Sequence, residues 1–362
     1  MEKENERSKC CEAKCCEAKC CEAKCCEAKC FIEYCGTSYC ESCVSKDIDS
    51  TRPMKMKIGN VLGTKGAVKI QIIPIINSGK ILDSEMDIPM FTYNLNRVSD
   101  FYQRTSGMNM ELDLSELGYT PYFTEFSNCD NGQCGNSDDI IKSIASNYNA
   151  TDRILVFYFP KACKCIQNQA AGSAYVTHNW IWIFTNTPRV IAHEIGHCLG
   201  SYHDNFRLNP YGNMESIMGG ADIDIGEFPV VGKLLFGWLT DTQVIHIMNS
   251  MEIDIVEAKY KLYMKFVASK VYGLYFFDVE INNYIFIEYR KDCGYDGLMI
   301  YKTSVFDNRP LQYWYGPTNI ITDSKSFIRS SYSIGEKFVY KNYKIWISAI
   351  TSDGVRVKVI MS

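Results

Sequence analysis

The sequence predicts an α+β chain: strands alternating with helices, one of which bears the histidines, followed by an all-β, sandwich-like segment. Residues 68–76, 154–159 and 180–184 read as strands separated by helical patterns. From about residue 260 the pattern changes to short alternating runs divided by turns. Three of the five histidines in the chain fall within the eleven residues 193–203.

Taken in order, the unit CCEAK recurs with a period of five between residues 10 and 30, and it holds nine of the 18 cysteines. A five-residue period matches neither a helix nor a strand, so no face collects the thiols. Four readings of this tail stay open: a slipped repeat without function, a thiolate metal binder, a lipidated or cross-linked anchor, and an inhibitory pro-segment. Residues 68–76 (VKIQIIPII) form a β-branched strand, with Pro74 marking an edge or bulge near its end. Leu95, Val98, Phe101 and Tyr102 share a helix face that Gly107 terminates. Ser137 caps a second helix, with Asp138 and Asp139 in its first turn and Ile140, Ile141, Ile144, Ala145 and Tyr148 on one face. Residues 154–159 (ILVFYF), closed by Pro160, form a strand buried on both faces. Residues 180–184 (WIWIF) add another, and Thr187 with Pro188 caps and opens the helix that follows. The runs YKLYMKFV, YGLYFFDVEI, YIFIEYR, KIWISAI and VRVKVIM complete the chain as a small sandwich. The expected division is a tail and linker over 1–60, a first domain over 61–255 and a β domain over 256–362.

Composition removes several functions. With 38 basic and 42 acidic side chains the net charge is -4, so no nucleic-acid partner is expected. Hydrophobic residues make up 46% of the chain, enough for a real core, so whole-chain disorder is excluded. No apolar stretch long enough for a transmembrane segment is present. The charged opening MEKENERSK leaves no signal peptide visible, and localisation stays open. Cys129 with Cys134, or Cys163 with Cys165, could pair or stay reduced, and one sequon stands at Asn149.

The chemistry lies in HEIGHCLGSYH, residues 193–203. His193 and His197, four apart on a helix, sit about 40° apart around its axis and about 6 Å along it, so both imidazoles can meet one ion. Gly200 stands where a left-handed residue ends such a helix, and the reversed chain delivers His203 as a third ligand. Three nitrogens leave one tetrahedral position for water, the arrangement of a single catalytic Zn2+. Glu194, one residue after the first ligand, is placed to take a proton from the zinc-activated water and to pass it to a leaving amine. Non-haem iron fits less well, because its triad needs the carboxylate as a ligand. His178 and His246 lack such spacing and read as structural, and Cys198 reads as a small buried residue. Met218, or its rival Met214, is the methionine of a Met-turn beneath the histidines.

These residues resemble the metzincin clan of zinc metallopeptidases, most of all the gametolysin family and more distantly the immune inhibitor A type. The matching segments are HEIGHCLGSYH, YGNMESIMG (211–219), GKLLFGWL (232–239), FYQRTSG (101–107), and FIEYR (286–290) with Gly294, Tyr295 and Asp296; together they span roughly 65–362. The resemblance implies a metzincin-like zincin domain, a twisted mixed sheet with an active-site helix, and an endopeptidase acting on protein or peptide substrates. It implies His193, His197 and His203 as zinc ligands, Glu194 as general base, Met218 in the Met-turn, and an edge strand near residues 173–176 that pairs with substrate backbone. It also implies secretion or association with a virion. The thiol tail departs from the family pattern, and tail-mediated anchoring or thiol cross-linking joins the expected partners. The competing class is a catalytically silent virion or surface structural protein that retains a zinc-binding metzincin fold.

Overall fold

A computed structural model of the chain describes residues 64–75, 87–115, 144–148, 152–159, 171–176, 178–204, 211–258, 265–278, 280, 283–291, 297–302, 334–335 and 337–362. It describes the backbone alone of residues 30–32, 38–40, 76–77, 122–124, 205, 303, 305–309, 312–315 and 318–320. The chain divides into two compact units, Met1–Arg52 and Pro53–Ser362. In the first, β1 (Cys30–Ile32) and β2 (Ser38–Cys40) form an antiparallel pair. The CCEAK repeat before Cys30 lies outside the described residues.

The second unit opens with β3 (Gly66–Asn77), α1 (Ile88–Thr105), β4 (Met110–Asp113), β5 (Tyr122–Thr124), β6 (Arg153–Tyr158), β7 (Gly172–Ala174) and β8 (Trp180–Ile183). The sheet order is β4-β3-β6-β8-β7, with β5 also on β3; every pairing is parallel except β7 with β8. This mixed sheet follows from the predicted strands, with one correction. Pro74 is not on an edge: β3 is flanked by β6 on one side and by β4 and β5 on the other. The proline is tolerated because β4 pairs with residues 66–69 and β5 with residues 75–77, so Pro74 falls in the gap between two partners. The run 154–158 is buried throughout, as a strand covered on both faces requires.

Helix α1 buries Leu95, Val98, Phe101 and Tyr102, and ends as Gly107 takes a positive φ of 61°. Of the second predicted helix only residues 144–148 are described; Ile144 is buried there, with Ala145 and Tyr148 packed on the same apolar cluster as Phe157, Phe159 and Trp182. The rest of that helix, its cap included, lies outside the described residues. Alternation along β8 turns Trp180 and Trp182 to that cluster and leaves Ile181 and Ile183 on the opposite sheet face.

The chain continues through α2 (Pro188–Cys198), β9 (Asp204–Asn205), α3 (Val230–Leu235), β10 (Val244–His246) and β11 (Met251–Val256). It then runs through β12 (Gly273–Asp278), β13 (Asn283–Arg290), β14 (Gly297–Thr303), β15 (Val305–Arg309), β16 (Gln312–Tyr315), β17 (Thr318–Ile320), β18 (Lys337–Tyr340), β19 (Tyr343–Ile350) and β20 (Gly354–Met361). These build a sheet of order β10-β12-β13-β14-β17-β9, a second of order β11-β20-β19-β18, and the hairpin β15-β16. Leu274, Phe276, Ile285, Ile287 and Ile300 of the first sheet meet Phe338, Ile345, Ile347, Val357 and Val359 of the second in one buried apolar cluster. Each such side chain contributes on the order of 1.5–3 kcal/mol on burial. The predicted strand at YKLYMKFV is not seen in its described part, residues 265–267; the remainder lies outside the described residues. Among the described residues no helix is long and apolar enough to cross a membrane.

Candidate metal centre

Helix α2 begins at Thr187, whose extended backbone precedes Pro188 in the first turn. Thr187 holds the cap position, yet its side chain makes no capping hydrogen bond. The proline supplies a preset φ and has no N–H to leave unpaired, so the start does not depend on the hydroxyl. The other end is built more tightly. Gly200 takes φ 105°, its N–H donates to His197 O at 2.9 Å, and Ser201 N–H donates to Gly196 O at 3.0 Å. That pair of bonds is a Schellman motif, which needs a left-handed residue where the chain reverses.

The reversal brings three imidazoles together. One nitrogen from each of His193, His197 and His203 lies within 4.8 Å of the others, and His197 Nε2 stands 3.2 Å from His203 Nε2. Two ligands about 2.0–2.1 Å from a tetrahedral ion would be about 3.3 Å apart, so the spacing suits coordination. The tautomers suit it too. His193 Nδ1 donates to Ile217 O at 2.8 Å and His197 Nδ1 to Ser201 O at 2.7 Å; a carbonyl only accepts, so each Nδ1 carries the proton and each Nε2 keeps its lone pair. Burial, reinforced by the neighbouring His203, pushes His193 down to about 3; burial brings His203 down to about 4 and His197 well below its ordinary value. All three rings are therefore neutral near pH 7, the state in which imidazole binds a metal.

Glu194 is buried beside them, and burial raises its carboxyl to about 8. It reaches toward β7, which ends the sheet among the described strands. There Gly172 admits it: a Cβ at that position would come within 2.9 Å of Glu194 Cγ and 2.7 Å of Val190 Cγ1. Residues 173–176, expected near an edge strand, lie in and just after β7.

Met218 is fully buried and packs its sulfur on Gly196, between the helix turns that carry the two histidines. Met214 is exposed, which separates the two candidates. Ile217, whose carbonyl orients His193, belongs to the same turn. Asp204, directly after His203, ties that histidine to the turn: its N–H donates to Met218 O at 3.0 Å, and its buried carboxylate accepts from the Ser216 hydroxyl. Tyr211 places its ring 4.5 Å from that of His203 and 5.8 Å from that of His193.

A buried ion network supports this turn. Glu227 pairs with Lys233 at 2.7 Å, both wholly buried, and with Arg104 at 3.1 Å. Although burial alone would raise its pKa, Lys233, Arg104 and Arg290 together hold the Glu227 carboxyl below its ordinary value. The backbone of Glu227 exchanges bonds with Glu215 and Ile217, so the network grips the turn directly. Arg290 pairs with Glu288 at 2.7 Å and donates to Phe228 O, while Glu288 accepts from Val230 N–H at 2.8 Å. Segments FYQRTSG, GKLLFGWL and FIEYR each contribute to it, through Arg104, Lys233, and Glu288 with Arg290.

The remaining predicted residues stand apart. His178 is exposed and packs on Tyr175 and Trp180. His246 stacks on Tyr275 with ring centroids 4.9 Å apart. Cys198 is buried with its sulfur toward Trp180 O. Gly172, Asp204, Tyr211 and Glu227 escaped the sequence reading. Nothing local marks Gly172 among 24 glycines, and Glu227 and Lys233 are six residues apart, a spacing that signals no helix pair. The position of Asp204 next to a ligand was the only available hint.

The three-histidine cluster with adjacent Glu194 resembles the zinc-binding motif of metzincins. Comparison of the chain with protein-family models and with curated proteins finds no match.

Proposed function

We propose that this chain is a zinc-dependent endopeptidase of the metzincin type. The observation that carries the reading is the convergence of three neutral imidazoles beside a buried carboxyl, on a helix that faces the strand ending the sheet among the described strands. A structural zinc site has no use for such a carboxyl.

His193, His197 and His203 would hold the ion through Nε2. Zinc, when bound, supplies Lewis acidity, which polarises a carbonyl and acidifies a water. Glu194 accepts the proton from the attacking water and returns it to the leaving amine. Its burial strengthens it as a base, and the charge of a neighbouring cation draws its pKa back toward neutrality. Ile217 O and Ser201 O hold two of the rings in register, and Met218 supports the turn below. Strand β7, which ends the sheet among the described strands, would pair with an extended peptide, so substrate would lie antiparallel or parallel beside Glu194.

At the finer level, we read the gametolysin-like resemblance as kinship, residues 61–255 as the catalytic domain, and residues 256–362 as a sandwich-like β domain. Secretion or virion association follows from the same resemblance. The test is Glu194→Gln: hydrolysis of quenched-fluorescence peptides should fall by about 10³-fold or more while bound zinc stays at one per chain. An undiminished rate would sink the mechanism.

A further inference from the structure

Strands β18, β19 and β20 turn one face to the buried cluster and the other outward, and the outward face has an unusual composition. Register places Val339 opposite Lys344 and Lys344 opposite Ile360; one pair further along, Lys337 is opposite Trp346 and Trp346 opposite Lys358. The six side chains therefore form a two-row grid, aliphatic-lysine-aliphatic above lysine-tryptophan-lysine. Period-two alternation puts all six on one face, because the intervening Phe338, Ile345 and Val359 are buried in the core. Val339 is 59% exposed and Ile360 36%, although nothing in folding requires branched aliphatics there. Both Lys337 Nζ and Lys358 Nζ lie over the Trp346 ring, at 5.2 and 5.8 Å from its centroid.

Positive charge is in excess on this face, where Lys337, Lys344, Lys358 and Arg356 meet only Glu252 and Asp254 among the described residues. Arg356, on the same face two residues before Lys358, is paired with Asp254, and off this face Lys341 pairs with Asp278 and Lys270 with Asp353. Among the described residues, Lys337, Lys344 and Lys358 form no ion pair. Glu252, directly opposite Lys358 on β11, accepts a hydrogen bond from Ser348 at 2.8 Å and, among the described residues, forms no ion pair with that lysine. Three unpaired lysines beside one ion pair and one carboxylate thus leave this face positive on a chain whose net charge is -4.

We propose that this face docks the protein on an anionic phospholipid bilayer. The lysines meet the phosphates, Trp346 lies at headgroup depth, and Val339 and Ile360 enter the acyl boundary. The aliphatic pair decides between occupants. A nucleic acid or a sulfated glycan would be met by the lysines and the indole, but leaves exposed Val339 and Ile360 without a role; a bilayer uses all six. The inference does not depend on peptidase activity, and it concerns a surface remote in sequence from the cysteine tail.

Sedimentation of the full chain with vesicles tests it. The protein should pellet with phosphatidylcholine vesicles containing about a third phosphatidylserine, remain in solution with phosphatidylcholine alone, and be released as salt rises toward about 0.5 M. The Lys337→Glu/Lys344→Glu/Lys358→Glu variant, all surface positions, should lose roughly 100-fold or more in vesicle affinity, and Val339→Ser/Ile360→Ser about tenfold at unchanged charge. Circular dichroism verifies that both variants are folded, and the salt series on the unaltered chain needs no variant. Absence of pelleting with the anionic vesicles would overturn the proposal. So would undiminished binding by the triple lysine variant, which would place the affinity in the tail, or retention on heparin by the unaltered chain without any vesicle binding.

Discussion

Glu194 and Gly172 are in contact across the gap between helix α2 and strand β7: a Cβ added to Gly172 would stand 2.9 Å from Glu194 Cγ and 3.0 Å from Oε1. The carboxyl keeps its place because the edge strand has no side chain there. Gly172→Ala should therefore displace the carboxyl without touching the three imidazoles. Steady-state kinetics should show kcat lowered roughly 10- to 100-fold, with zinc content and helix signal unchanged. A variant with the wild-type kcat would show that the strand does not position the base.

Met218 fills the space under α2 against Gly196 and is wholly buried. Met218→Ala should cost about 2–5 kcal/mol in denaturant unfolding and speed the loss of zinc to a chelator, since the turn also carries the Ile217 carbonyl that orients His193. Met218→Leu, nearly equal in volume, should cost less than about 1.5 kcal/mol.

The pH dependence of the metal-free chain has two opposed parts. His193 and His203 fall to about 3 and about 4 in the folded state, so below about 6.5 the unfolded chain binds more protons, and stability declines with acid between pH 6.5 and pH 3. Glu194 rises from 4.5 to about 8, so there the folded chain binds the extra proton, and stability declines as pH increases from 4.5 to 8. Glu194→Gln should remove only the second part. Relative to the parent, its unfolding free energy should grow by up to ~1.4 kcal/mol per pH unit across that window, measured by urea titration after chelation.

Lys233 and Glu227 are both fully buried, 2.7 Å apart. Lys233→Met leaves the carboxylate with Arg104 alone from its two direct ion partners and should cost about 3–5 kcal/mol. Glu227→Gln/Lys233→Met, which removes both charges, should recover part of that loss. Thermal unfolding of the two variants measures the difference.

The periodic elements were legible because their signals are local. The apolar face of α1, the doubly buried run 154–158 and the glycine endings at Gly107 and Gly200 each follow from spacing within a few residues. Pro74 was misread because its tolerance depends on where β4 and β5 stop along β3, which only the pairing register decides. The cap at Thr187 was located by position, while the hydrogen bond expected from its side chain did not form. The ion network is a matter of long-range convergence: Arg104, Glu227, Lys233, Glu288 and Arg290 come from four separate segments, and no local pattern links them.

Covalent order alone dictated the clustering of the three histidines: a helix must put His193 and His197 on one face, and a left-handed Gly200 must turn the chain before His203. That follows from 3.6 residues per turn and from the sterics of Cβ. Tertiary packing decided what surrounds the three rings. Burial set the protonation of Glu194, carbonyls from Ile217 and Ser201 set the tautomers, and the absence of a side chain at Gly172 gave the carboxyl its room, because desolvation and close contact arise only where distant segments meet.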